Sequence, residues 1–257
     1  MDYFIIGISA FLTSLLTFFS GFGLGTLLMP AFAVFFTPEA AIASTAVVHL
    51  MNNLFKLALL GRYANRSVVF NFGFTAIAGA WIGAIILIYV SDLQPIFTYQ
   101  FAGRDAHITA VKCLVALLMI GFAIFEVVPK FKKLAFDQKY LKLGGFLSGF
   151  FGGISGHQGA LRSAFLARSH LSKESFIGSG VAVACLVDIA RIFVYANHTK
   201  RSLGSENISL ILFATVCAFL GVWAGSRFLK KITMTFIQAI VSALLFVIAV
   251  LLGFGVI

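Results

Sequence analysis

The sequence predicts an all-α polytopic membrane protein. Of its 257 residues, 60% are hydrophobic and only 11% are charged, whereas soluble domains carry about 25% charged residues. The mean hydropathy is +1.02. Several apolar runs reach or approach the roughly 20 residues that cross a bilayer, and a span must satisfy its own backbone hydrogen bonds, so each run is predicted to be a helix. The runs cover residues 3–20, 39–60, 68–90, 108–128, 175–196, 207–226 and 234–257.

The first run, MDYFIIGISAFLTSLLTFF, lacks the basic start and the small-residue cleavage site of a signal peptide, so we interpret it as a retained span. Cys113, Cys185 and Cys217 lie within apolar runs and form no CxxC pair, which argues against a disulfide framework or a cysteine metal site. We expect no metal and no cofactor. The net charge of +10 does not indicate nucleic-acid binding, because no soluble domain is available to present a basic face.

The sequence contains one pattern twice. Each half opens with a glycine-interrupted apolar segment, FFSGFGLGTLLMPAF in the first half and GFFGGISGHQGALRSAF in the second. Each half later carries a Gly-x-Trp-x-Gly motif, GAWIG or GVWAG, and these motifs contain both tryptophans of the chain. The pattern predicts two homologous halves, each a glycine-broken helix followed by three transmembrane helices. They span residues 1–128 and 143–257, with a basic cytoplasmic connector at 129–142.

Two topologies fit the broken segments. If each segment crosses the membrane, the loops place nine Lys and Arg residues inside and six outside. If each is a re-entrant hairpin, twelve lie inside and three outside, and the halves become inverted repeats. The positive-inside rule favours the hairpins. Because residues 3–20 are long enough to span alone, both alternatives stay open.

The broken segments are predicted to bind an anion. A helix that begins inside the membrane has free backbone N–H groups and a dipole whose positive end attracts negative charge. Matched broken segments are typical of the binding sites of secondary transporters. The second half-helices are expected at residues 26–36 and 159–169, with Pro30 in the first turns, where a missing N–H costs least. Glycine lets a ligand approach the backbone, and the candidates are Gly23, Gly25, Gly156 and Gly159.

Polar residues inside the apolar runs are further candidates, because an ionisable group costs about 2.5–3.5 kcal/mol at the centre of a span. In the run 39–60, four of them follow the spacing i, i+3, i+4 and i+7, which places them on one helix face. In the second half, an arginine follows the second break by one turn. The candidates for anion binding are His49, Asn52, Asn53, Lys56, His157, Gln158, Arg162 and Arg191, together with the hydroxyls of Ser44 and Thr45.

Asp188 is the only deeply placed acid of the predicted cavity, where Lys56, Arg162 and Arg191 supply three cations. Net positive charge in a site of low dielectric constant is costly when the site is empty and suits a small anion. As the lone acid, Asp188 is the candidate for proton coupling. Structural alternatives exist for each: Lys56 snorkels from the end of its span, Arg162 caps a helix end, His49 packs within the bundle, and Asp188 and Arg191 form an ion pair.

These features resemble the TauE/SafE family of sulfite exporters, a group also called toluene-sulfonate uptake permeases. SGFGLGTLLMPAF is similar to the family's Gly-x-Gly-Gly-Gly…Pro signature, and AIASTAVV to its Ala-x-x-Thr-Ser region. The resemblance covers nearly the whole chain and implies secondary transport of sulfite, sulfonates or related organic anions. Ser44 and Thr45 reverse the family's order, and the second half has GALRSAF where a proline is expected. His157 and Arg162 look like particular features of this chain.

Two other functions are alternatives. One is an anion channel, and the other is a rhomboid-like intramembrane serine protease, which GISG around Ser155 and HLMNN with His49 and Asn53 would suggest. Such a protease needs a histidine base on a later span. No histidine lies mid-span on a later helix; those after the serine are His157, His170 and His198.

The sequence therefore predicts a secondary transporter, and not an enzyme, in a bacterial-type inner membrane. We expect it to export small sulfur-containing anions from a midplane site between its two halves. Its expected partners are the anionic substrate, a coupling ion (a proton or sodium) and membrane lipids, with no nucleic acid. A homodimer is left open.

Overall fold

The computed structural model describes residues 2–17, 24–101, 103–132, 134–198, 205–228 and 234–257. Most of these residues are helical. Short 3₁₀ turns occupy Gly61–Tyr63 and Gln138–Tyr140. The α-helices are α1 (Asp2–Thr17), α2 (Gly25–Ala33), α3 (Pro38–Leu60), α4 (Arg66–Ser91), α5 (Ala110–Val127), α6 (Pro129–Lys132), α7 (Leu141–Ser155), α8 (Gly159–Leu166), α9 (Lys173–His198), α10 (Ser205–Phe228) and α11 (Met234–Gly253).

Within the described part of the chain, four helices are long and apolar enough to cross a membrane. A helix of 26 residues is about 39 Å long, which exceeds the roughly 30 Å of a hydrocarbon core. The prediction of an all-α polytopic membrane protein is confirmed. The four spans are Pro38–Tyr63, Arg66–Ser91, Lys173–Ala196 and Ile208–Arg227, and shorter apolar helices cover Asp2–Leu15, Ala110–Phe125 and Ser242–Gly253.

Local sequence signals mark several helix starts. Pro38 is the first residue of α3, where its missing N–H has no intrahelical partner to lose. The side-chain oxygen of Asn65 accepts a hydrogen bond of 3.1 Å from the N–H of Val68 at the start of α4. Thr109 does the same for Lys112 at the start of α5, at 3.3 Å. Each cap satisfies one of the free N–H groups of a first turn.

A β-hairpin is the β-structure found among the described residues. Strands β1 (Phe97–Phe101) and β2 (Arg104–Ile108) pair antiparallel. Gly103 adopts φ +77° in the turn, a conformation that glycine reaches without steric cost. The hydroxyl of Tyr99 donates a 2.7 Å hydrogen bond to the carbonyl of Phe254, which fixes the hairpin to the end of α11. The sequence indicated only a non-apolar stretch here.

Helices α4 and α7 pack backbone against backbone. The small residues of α7 recur every four positions, which forms the small-xxx-small pattern of closely packed membrane helices. A Cβ atom on any of them would collide with a carbonyl oxygen of α4. The contacts advance together along both helices, so the helices run parallel. In order, Gly145, Gly149 and Gly153 lie against the carbonyls of Phe72, Ala76 and Ala80.

Helix α10 packs on α1 through a similar contact, in which Gly221 lies against the carbonyl of Phe11. The first helix of each half thus packs on the helix that carries the Gly-x-Trp-x-Gly motif of the other half. This exchange is what two homologous halves would produce. The division into halves itself stays a prediction.

Helices α7 and α8 form a hairpin. Gly156 ends α7 with φ +81°, and its N–H donates to the carbonyl of Gly152 at 2.9 Å. Ser148 donates a 2.9 Å hydrogen bond to the carbonyl of Gln158. At the other end of α8, the ring of Phe165 lies on Gly144. Helix α8 therefore runs back along α7, as in the hairpin alternative that the loop charges favoured.

Several boundaries differ from those predicted. The half-helices cover Gly25–Ala33 and Gly159–Leu166, so both end three residues early. Pro30 is the sixth residue of α2 and not part of its first turn. Helix α7 begins at Leu141, within the predicted connector. Helix lengths depend on tertiary packing more than on local pattern.

Candidate functional site

Helices α3 and α9 carry buried polar groups on the sides that face each other. The four α3 residues with helical spacing, His49, Asn52, Asn53 and Lys56, are all at most 4% exposed. Asp188 of α9 is fully buried. The periodicity in the sequence therefore predicted a real buried face.

Asp188 is the centre of a hydrogen-bond network. Its Oδ2 lies 2.6 Å from Nδ1 of His49 and 3.5 Å from Nδ2 of Asn53. Its Oδ1 accepts from Nη2 and Nε of Arg191, at 2.7 and 3.0 Å, and from Nε2 of Gln158, at 3.2 Å. One carboxylate thus joins α3, α9 and the turn between α7 and α8. Charge-assisted bonds of this kind are the strong ones, and buried carboxylates require them.

Arg191 connects this network to the end of α7. Besides its two bonds to Asp188, it donates from Nη1 to the carbonyl of Gly152 at 3.1 Å. One turn further on, the hydroxyl of Tyr195 donates to the carbonyl of Gly153. Both side chains therefore bond to carbonyls in the last turn of α7, where the carbonyl of Gly152 also accepts from the N–H of Gly156. The structure has the Asp188–Arg191 ion pair that the sequence left as an alternative; a direct contact of Arg191 with substrate stays a prediction.

Arg162 and Lys56 are the other buried cations. Arg162, the fourth residue of α8, donates from Nη1 to Oε1 of Gln158 at 3.3 Å. Arg162 is also an electrostatic neighbour of Lys56 on α3. Among the described buried residues, three cationic side chains therefore accompany a single carboxylate, that of Asp188. The formal charge of this region is positive.

His157 lies in the turn between α7 and α8. Its ring stacks on Phe122 of α5, with 5.5 Å between centroids and 7° between planes. Its Nδ1 is 2.9 Å from the carbonyl oxygen of Ser155. Its Nε2 is buried and has no hydrogen-bond partner in the protein. Unpaired buried polar atoms are rare and call for an explanation such as a ligand.

Three candidates on α3 also have buried polar atoms without a partner. These are the hydroxyls of Ser44 and Thr45 and the Nδ2 amide of Asn52. The other end of the Asn52 amide, Oδ1, accepts a 3.2 Å hydrogen bond from the hydroxyl of Ser14 on α1. The amide group is thereby oriented, with its NH₂ left to donate.

The two helix breaks meet in space. A Cβ on Gly25, the first residue of α2, would lie 3.2 Å from the carbonyl oxygen of Gly156 and 3.6 Å from the methyl group of Thr45. Both short helices begin without a side-chain cap, α2 after Leu24 and α8 after Gln158. The first N–H groups of α8 have no side-chain partner and can meet a ligand. Gly159 is the buried first residue of α8, whereas Gly23 lies outside the described residues.

Comparison with known protein families identifies the family of this chain. The sequence model of the family described as "Sulfite exporter TauE/SafE" matches residues 6–252, nearly the whole chain. The chain belongs to the TauE/SafE family. No curated protein and no solved structure matches it.

Membership in TauE/SafE establishes this chain as an integral membrane transporter of a family of sulfur-anion exporters. It also weighs against the protease alternative. Nδ1 of His157 lies 3.2 Å from the hydroxyl oxygen of Ser155. The hydroxyl nevertheless donates to the carbonyl of Phe151, at 3.0 Å, and not to the histidine. His49 and Asn53, the other protease candidates, are bound to Asp188.

Sequence reasoning missed several residues of this candidate site. Tyr195 follows Arg191 by four residues, so helical spacing could have found it. Phe122 and Ser14 lie on helices distant in the sequence, and no local pattern marks them. Ser148 belongs to the glycine-rich face of α7, where a lone hydroxyl resembles an ordinary small residue.

Proposed function

We propose that this TauE/SafE member is a secondary transporter that exports small sulfur-containing anions, such as sulfite or organosulfonates. The anion binds where the two helix breaks meet, between the predicted halves. The observation that carries this proposal is the contact of Gly25 with Gly156, which brings together two uncapped helix N-termini beside buried cations.

Each component of this region favours negative charge. An uncapped helix N-terminus offers backbone N–H groups and the positive end of a dipole. Arg162 and Lys56 add full charges in a buried setting, where interactions are screened less than in water. A planar guanidinium suits two oxygens of a sulfite or sulfonate group, and an ammonium acts as a point charge.

The unpaired polar atoms supply the neutral part of the site. The amide NH₂ of Asn52 and the hydroxyls of Ser44 and Thr45 can each donate a hydrogen bond. Nε2 of His157 is an acceptor, because Nδ1–H donates to the carbonyl of Ser155, and it suits a protonated oxygen such as that of hydrogen sulfite. Small oxyanions present several acceptor oxygens and no donors when fully ionised. Together with the buried cations, these donors select such anions over neutral solutes.

We assign proton coupling to Asp188 and its partner His49. When the carboxylate is ionised, it neutralises part of the positive charge around the site. Proton uptake removes that negative charge, so anion and proton binding strengthen each other, and the linkage is reciprocal. Because Asp188 contacts α3, α9 and the α7–α8 turn, its protonation would also loosen the contacts between these elements during alternating access.

Flux through purified protein in proteoliposomes tests the function. We expect sulfite efflux that saturates, shows counterflow and responds to an imposed proton gradient. Linear, non-saturating flux without counterflow would identify a channel instead. Ser155→Ala serves as the control for the protease alternative, and it should retain flux. Loss of a peptide-cleaving activity in that variant would contradict the transporter.

A further inference from the structure

A groove on the outside of the helix bundle lies away from the anion site. It has a volume of about 700 Å³ and runs between the end of α3, the first half of α4 and α9. Its walls are mainly apolar. Phe70 and Phe74, which stack at 6.0 Å, are about 70% exposed and face outward. The groove therefore opens toward the surroundings of two predicted spans. Other wall residues are Val69, Ile77 and Leu186.

Two arginines line one end of this groove, Arg62 in the turn after α3 and Arg66 at the first position of α4. Both are exposed. Across the described ranges, neither has a carboxylate within salt-bridge distance. Arg62 is held in place by Tyr63, to whose hydroxyl it donates at 2.6 Å and over whose ring its guanidinium lies at 4.7 Å.

We propose that this groove binds an anionic phospholipid of the surrounding bilayer. Its phosphate contacts Arg62 and Arg66, and an acyl chain lies along Val69, Phe74 and Leu186. The occupant follows from charge complementarity: the groove joins a cationic end to apolar walls, and only an amphipathic anion uses both. The charge count places the 62–66 loop on the cytoplasmic side, where anionic headgroups attract basic residues.

A lipid at this position would touch the helix that carries the coupling acid. Leu186 is a groove wall residue of α9, two positions before Asp188. Its side chain also packs against Gly73 of α4, where a Cβ would lie 2.9 Å away. The lipid thus fills the seam between α4 and α9. This proposal does not depend on the identity of the transported anion.

Binding can be measured on the purified full chain by native mass spectrometry and by thermal shift. Phosphatidylglycerol and phosphatidylcholine with the same acyl chains are the paired probes, and inorganic phosphate is the third. We expect phosphatidylglycerol to bind preferentially and to raise the melting temperature more than phosphatidylcholine. Removing both charges in Arg62→Ala/Arg66→Ala should lower that preference about 30-fold, from roughly 1 kcal/mol for each basic residue.

The matched control is Lys139→Ala/Lys142→Ala, which removes two exposed cations from the connector. It should keep the preference for phosphatidylglycerol. A second variant, Ala182→Phe, fills the groove from α9 and should weaken both lipids while the arginines remain. Equal binding of the two lipids would overturn the proposal. So would an unchanged preference in the arginine variant, or an equal stabilisation by inorganic phosphate alone.

Discussion

The two helix breaks are held in place by different kinds of interaction. At the second break, Gln158 and Arg191 connect the turn between α7 and α8 to Asp188, and carbonyls in the last turn of α7 accept hydrogen bonds from side chains. At the first break, α2 contains no charged residue, and buried Leu24, Leu28 and Phe32 hold it in place. One break is fixed by a polar network and the other by apolar packing.

From this difference we infer a division of labour, in which the two breaks contribute differently to anion binding. The second break sets the charge of the site, because Arg162 and the Asp188 network belong to it. The first break contributes backbone groups that approach closely through Gly25. We therefore expect substitutions at the second break to change both stability and anion binding, and matched substitutions at the first break to change much less.

The largest expected effect is the loss of stability in Asp188→Ala. Removing one partner of a buried ion pair leaves Arg191 with an uncompensated charge, which costs about 3–5 kcal/mol. Thermal unfolding in detergent measures the change. Asp105→Ala, at an exposed acid of the β-hairpin, is the control and should change stability by less than about 0.5 kcal/mol. If the two substitutions lowered stability equally, the Asp188 network would not be a main source of the protein's stability.

Asp188→Asn keeps the size of the side chain and tests the coupling. It should abolish the response of sulfite flux to a proton gradient, because a side-chain amide does not gain or lose a proton at physiological pH. Flux is measured at several imposed gradients. If both flux and its pH dependence stay intact, Asp188 does not couple transport to protons.

The next effect is on anion affinity. Arg162→Met should weaken sulfite binding about 10- to 150-fold, from the roughly 1.5–3 kcal/mol of a hydrogen bond to a charged group. The matched substitution at the first break is Leu28→Met, since both residues are the fourth of their half-helix. It conserves volume and should leave affinity unchanged. Titration calorimetry measures both, and similar losses in the two variants would refute the division of labour.

The two glycines at the contact provide a smaller comparison. Gly156→Ala forces a Cβ into a left-handed conformation, at about 1–2 kcal/mol, and places it 3.2 Å from Nη1 of Arg191. Gly25→Ala has no such backbone penalty. We expect the first substitution to lower the melting temperature more than the second. The reverse order would mean that the first break is the more constrained one.

The smallest effect is expected for His157→Phe. The ring can still stack on Phe122, but Nε2, the acceptor for a protonated oxygen such as that of hydrogen sulfite, is lost. Sulfite affinity should fall about 2- to 10-fold, the equivalent of one neutral hydrogen bond, with little change in melting temperature. A large loss of stability without a change in affinity would make His157 a structural residue.

The helices and the polar face of α3 could be predicted from local pattern, because hydropathy and a 3.6-residue period depend on neighbours in the sequence. The partners of that face could not. His49 and Asp188 are 139 residues apart, and their contact depends on how α3 and α9 pack. The β-hairpin was missed although β1, FTYQF, alternates apolar and polar residues as a half-buried strand does, because this five-residue signal lies in a short stretch between two long apolar runs. The hairpin of α7 and α8 was favoured by loop charges, although its closing contacts were not visible in the sequence.

The central claim is that an oxyanion binds among the buried cations where the two breaks meet. Its most direct test is a thermal-shift titration of purified protein with sulfite, sulfate, a sulfonate and a small carboxylate. A ligand that binds only the folded state raises the melting temperature with concentration. We predict that sulfite or the sulfonate stabilises the native chain and not Lys56→Met/Arg162→Met, while Lys139→Ala/Lys142→Ala responds like the native chain. Equal stabilisation of all three proteins, or of none by any sulfur anion, would contradict the claim.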